Sequence, residues 1–157
     1  MTRFGTIRRS GRKQQGFSML EVLIALVVLA VGLLGLALLQ TVNLRYTKSA
    51  EQRTKATNLA GAILDTMRTN RSELASYAVE EDGFDDVDAS GGCELDAALN
   101  AASNLEHWMC EVKEALGPDA DGSITIVGSN VRVQINWSED NLPSLTGGAT
   151  VVLESVL

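Results

Sequence analysis

Residues 13–40 read KQQGFSMLEVLIALVVLAVGLLGLALLQ, and the step in polarity between Gly16 and Phe17 governs how the rest of the chain is read. Val22 to Leu39 is 18 residues without a polar side chain, and Phe17 to Leu39 spans 23 if Ser18 and Glu21 are included. At a helical rise of about 1.5 Å per residue the longer stretch reaches ~35 Å. That is enough to cross a bilayer core of ~30 Å. A secretory signal peptide also joins a basic flank to an apolar run, but its apolar core is about 7–15 residues and ends in a small-residue cut site. Here the run is longer, no such site follows it, and polarity changes before the run. Glu21 stands inside the apolar stretch. An ionised carboxylate in hydrocarbon costs on the order of 3 kcal/mol near mid-bilayer and less near the interface, so this residue calls for a partner.

Charge is distributed as unevenly as hydropathy. Met1 to Gln15 carries Arg3, Arg8, Arg9, Arg12 and Lys13 and no acid, a composition that resists translocation and is predicted to stay cytoplasmic. Of the 13 basic residues, the other 8 face all 20 acids after Gly16, a balance of −12 that disfavours nucleic-acid phosphates as partners. The two cysteines, Cys93 and Cys110, both lie on the side predicted to be exported. One disulfide is the economical reading, worth roughly 3 kcal/mol through the unfolded state, with two unpaired thiols the alternative.

Basic leader, Gly16-Phe17, Glu21 four residues further on and an unbroken apolar helix together resemble the class III signal of type IV prepilins and type II secretion pseudopilins. The resemblance covers Lys13 to Gln40 closely. It implies that prepilin peptidase cuts after Gly16 and methylates the new terminal amine on Phe17. It also implies that Glu21 neutralises the amino terminus of a neighbouring subunit during assembly. Pairing a buried carboxylate with a buried ammonium is physically reasonable, because it avoids leaving either charge alone in hydrocarbon.

Beyond the apolar run, residues 40–71 lack proline, and Ala56, Leu59, Ala60, Ile63, Leu64 and Met67 recur at helical spacing, which predicts one helix from Phe17 to about Asn70. Arg45, Lys48, Arg53 and Lys55 form a basic patch on it, read as a solvated face or as pairing with acids of adjacent subunits. Residues 72–92 are expected to be loop, with six acids between Glu80 and Asp88 simply solvated. Leu95, Leu99, Ala102, Leu105, Met109, Val112 and Leu116 predict a second helix ended by Gly117-Pro118. Asp119-Ala120-Asp121-Gly122 has part of a calcium-loop pattern without its remaining ligands, so a plain turn is expected and no metal. Ile124 to Val127 and Val131 to Trp137, joined by Gly128-Ser129-Asn130, alternate as a hairpin, and Ala149 to Leu157 follows the loop 138–148 as a third strand.

The fold class is therefore α+β: a long amino-terminal helix packed on a carboxyl-terminal antiparallel sheet, with a second helix between, which is the type IV pilin fold that the resemblance implies. The domains expected are a leader at 1–16, a transmembrane and assembly helix at 17–39, and a periplasmic head at 40–157. With one histidine, no GxSxG, no Walker loop and no HExxH, no catalytic role is read, and the His107 and Cys110 pair is assigned to helix surface and disulfide. No cofactor and no small-molecule substrate are expected.

KATNLAGAILDTMRTNR (55–71), NLEHWMCEV (104–112) and GSITIVGSNVRVQINW (122–137) further resemble the type IV pilus modification (PilV) minor pilins. That resemblance implies a low-abundance subunit in the bacterial inner membrane and then the pilus, partnered by other minor and major pilins and a tip adhesin. A minor pseudopilin of type II secretion is the nearest alternative, and a membrane-anchored sensor the alternative from another class.

Overall fold

Helix α1 runs Met19–Thr69, close to the 17–70 expected. The computed structural model describes residues 16–94, 100–139 and 148–157. Expectations for the basic leader, for Leu95 and Leu99 and for most of the loop after Trp137 lie outside the described residues. Internal contacts divide the chain between Thr41 and Val42 into two compact units.

In the first unit Ser18 starts the helix. Its Oγ accepts the Leu20 N–H at 3.2 Å, and its carbonyl accepts the N–H groups of Glu21 and Val22 at 3.0 and 3.3 Å. A serine at the N-cap satisfies donors that the first turn otherwise leaves unpaired. From there to Thr41 every side chain is exposed, including the whole apolar run. Gly32 and Gly35 lie in this stretch with open space where a Cβ would stand.

In the second unit α1 becomes amphipathic. Ser49, Ala56, Ala60, Ile63, Leu64 and Met67 are buried along one stripe, as the three/four spacing predicts. Thr47, Thr54, Thr57 and Thr66 donate to the carbonyl four residues back on the exposed side, which absorbs hydroxyls that have no loop partner. Helix α2, Ala101–Leu116, begins at Asn100, whose side chain accepts the Ser103 N–H at 2.9 Å, and ends at Gly117 with φ 120° before Pro118. Its Trp108 buries the ring and donates Nε1–H to the Leu59 carbonyl at 3.0 Å, binding α2 to α1.

Three antiparallel strands, β1 Asp121–Val127, β2 Asn130–Trp137 and β3 Ala149–Val156, form a sheet in the order β1-β2-β3. Val131, Val133, Ile135 and Trp137 all face the core, which sets the register of β2, since a one-residue slip would turn the whole set outward. The hairpin loop is tighter than expected. Val127 pairs with Asn130, so only Gly128 and Ser129 remain in the turn, and Gly128 takes φ 63° at the first loop position. The turn expected at 119–122 is also corrected: Asp121 and Gly122 already belong to β1, and a Cβ on Gly122 would lie 2.6 Å from the Gln134 carbonyl.

The largest correction concerns residues 72–92, which are no plain loop. Two short 3-10 helices, Arg71–Tyr77 and Glu81–Phe84, bring Tyr77 and Phe84 into the core, 0% and 1% exposed. Between them Val79 exchanges two backbone hydrogen bonds with Ile124, at 3.2 and 2.8 Å, extending the sheet edge by one bridge. The six acids are solvated as expected, but the chain that carries them is anchored on both sides. Phe84 meets Trp108 edge-on at 5.7 Å, an arrangement aromatic quadrupoles favour.

Candidate functional site

Of the residues singled out at the amino-terminal end, Phe17 and Glu21 come together at the start of α1. Phe17 is 82% exposed, and with Glu21, Val22, Ala25, Leu26 and Leu29 it lines an open groove of about 460 Å³. From Glu21 to Leu29 spacings of three and four residues put the side chains on one stripe of the helix, and Phe17, which precedes the cap Ser18, adjoins it. Glu21 is its only charged lining residue. Among the described residues, its carboxylate has no hydrogen-bond or ion-pair partner. Ser18 and Glu21 have the S-x-x-E spacing of a capping box, a signal available in the sequence that identifies Ser18 as the residue starting the helix. The box is half made: Ser18 caps, while Glu21 is left facing outward. This groove can therefore receive one cationic group beside an apolar surface.

α1 is long and apolar enough to cross a membrane, and none of its most apolar 18-residue window is buried.

The second unit has two cross-links that act on its stability. Cys93 and Cys110 are joined, Cα to Cα 5.6 Å apart, tying the end of the acidic segment to α2. Their separation of 17 residues closes a loop whose constraint is worth about 3 kcal/mol. Cys93→Ser is expected to lower the urea-unfolding free energy of the second unit by roughly 2–5 kcal/mol. An unchanged midpoint under non-reducing conditions would contradict this.

The second cross-link was not legible. Glu139 is 3% exposed, and its Oε1 accepts a hydrogen bond from Ser49 Oγ at 3.0 Å and lies 3.5 Å from Arg53 Nε. Arg53, read as part of a solvated basic patch, thus has a buried partner. Lys55 has an exposed one in Glu51 at 2.8 Å; the hydrogen bond and charge of Lys55 hold the Glu51 carboxyl below its usual range, with Lys48 adding a weaker pull. His107 Nε2 lies 3.5 Å from Glu111 on α2, and Cys110 is spent in the disulfide, so the two do not form a nucleophile and base. No group of three or more His, Cys, Asp or Glu suited to a metal ion is present among the described residues.

The family described as the prokaryotic N-terminal methylation motif matches residues 11–37. The match spans Gly16, Phe17, Glu21 and most of the apolar run, and it supports a type IV pilin or pseudopilin family, processed by prepilin peptidase and assembled with other pilins. No curated protein and no solved structure matches the chain.

Proposed function

We propose that this chain is a minor pilin of the type IV pilus modification (PilV) kind, made as a prepilin and built into, or priming, a pilus. Prepilin peptidase cuts after Gly16 and methylates Phe17; residues 17–39 cross the bacterial inner membrane once, and residues from 40 onward lie in the periplasm until assembly. Other minor and major pilins, and a tip adhesin, are its partners. The observation that carries this reading is the unpartnered Glu21 carboxylate in an exposed apolar groove beside Phe17. An unpartnered carboxylate in hydrocarbon costs on the order of 3 kcal/mol, and pairing with the methylated amine of a neighbouring subunit would offset that cost.

Intact-mass analysis of membrane-extracted protein tests the reading. The expected species begins at Phe17, has lost residues 1–16 and has gained one methyl group; retention of Met1 in a cell with active prepilin peptidase would sink it. The stretch from Gly16 to Leu26 suits a minor pseudopilin of type II secretion equally well, and a deletion strain separates the two, since loss of surface pili with intact secretion marks a pilus subunit.

A further inference from the structure

Of the five cations on α1, the three furthest from the apolar run have acid partners: Arg53 with Glu139, Lys55 with Glu51 and Arg68 with Asp65. Arg45 and Lys48, the two nearest it, have no ion pair among the described residues, and both are exposed. Arg45 follows Leu39 by six residues in sequence. Around it Val42, Leu44 and Tyr46 are 42%, 71% and 61% exposed, although the helix packs against its own unit from Ser49 onward. An unpaired cation pair interleaved with exposed aliphatic and tyrosine side chains, next to a membrane-length apolar run, has the composition of a membrane-interface anchor. Its sign is also notable. After Gly16 the chain is strongly acidic, and basic residues directly beyond a span on the exported side oppose the usual orientation bias. Cations placed there suit a negatively charged partner.

We infer that Arg45 and Lys48, with Tyr46 between them, bind the phosphate headgroups of anionic phospholipid on the periplasmic face of the inner membrane. The inference rests on the membrane-spanning reading above. Lys48 also lines a small cleft with Gln52, Gly117, Pro118, Asp119 and Ser138 and acts weakly on Glu51, yet it stays exposed and makes no ion pair among the described residues. The acidic turn at Glu80 to Asp88 of a second copy is the competing occupant, but it offers nothing to Leu44 and Tyr46, whereas a headgroup layer accommodates both the charges and the amphipathic ring.

The test uses the full chain in nanodiscs of equimolar phosphatidylglycerol and phosphatidylcholine, with retained lipid counted by native mass spectrometry and membrane integration checked by carbonate extraction. Each cation near an anionic surface contributes about fivefold to the attraction. Arg45→Gln with Lys48→Gln is therefore expected to lose about 25-fold of the preference for phosphatidylglycerol, while Lys55→Gln, whose lysine is paired with Glu51, keeps it. An integral wild-type chain with no such preference, or a double variant that retains it, overturns this inference and leaves the membrane reading standing. A double variant that retains lipid but loses crosslinks to the acidic turn of a second copy assigns the pair to subunit contact instead. Release of the wild-type chain by carbonate overturns both readings.

Discussion

Glu21→Val is expected to insert and to be cut after Gly16 like the wild type, yet to lose docking between subunits by a factor of at least about a hundred. Insertion is spared because an acid in hydrocarbon is replaced by an apolar side chain, a change worth up to about 3 kcal/mol in favour of the membrane. The helix start is spared as well. Ser18 supplies the cap through its own hydroxyl, and an acid in the first turn contributes only about 0.3–1 kcal/mol through the helix dipole. Docking is different, since on the proposed pairing the methylated ammonium of the incoming subunit would meet the groove at Phe17, Val22, Ala25 and Leu26 with no counter-charge. Breaking one side of a buried pair costs roughly 3–5 kcal/mol, and each 1.4 kcal/mol is about a tenfold change in association. Crosslinking of the variant to other pilins, with surface pili counted in the same strain, measures it; normal values for both would show that Glu21 is only a tolerated interfacial acid. Glu21→Gln separates charge from shape: it fills the groove as glutamate does and should dock almost as poorly as valine.

The nearness of Phe17 and Glu21 was legible because it is local. Phe17 directly precedes the cap Ser18 and Glu21 lies in the first turn of α1, so their place in one groove follows from their short separation in sequence. The strands were legible for the same reason, through the alternation of Val131, Val133, Ile135 and Trp137. What could not be read were contacts made across long stretches of sequence. Ser49 and Glu139 are 90 residues apart and both hydrophilic, yet they share a buried hydrogen bond, and nothing near either in sequence announces the other. Tyr77 and Phe84 were concealed by their neighbours: six acids within nine positions suggest solvent, and the two aromatic side chains that oppose it lack any helical or strand period.

The consequence for the acidic segment is that Phe84, not the charges around it, holds it in place. Phe84→Ala is expected to destabilise the second unit by about 3–5 kcal/mol, the range for truncating a fully buried phenylalanine. The ring is 1% exposed, stands edge-on to Trp108, and reaches to within 3.4 Å of the space kept open by Gly122 in β1. Removing it leaves a cavity between the 3-10 helix Glu81–Phe84, β1 and α2, and the surrounding backbone is too constrained to close it: Val79 is bonded to Ile124 on one side, and Cys93 to Cys110 on the other. Glu81 adds a polar tether to the sheet, its Oε1 accepting from Asn136 Nδ2 at 3.1 Å and Gln134 Nε2 at 3.3 Å, and exposed hydrogen bonds of this kind contribute far less than the ring. Asp85→Ala, on the exposed side of the same turn, should therefore stay within about 0.5 kcal/mol of wild type. Urea unfolding of the full chain in detergent, with limited proteolysis between Glu80 and Asp88 as a local readout, compares the two variants. If Phe84→Ala unfolds within about 1 kcal/mol of the wild type and its acidic turn stays resistant to protease, the segment is held by something other than the core contact described for Phe84.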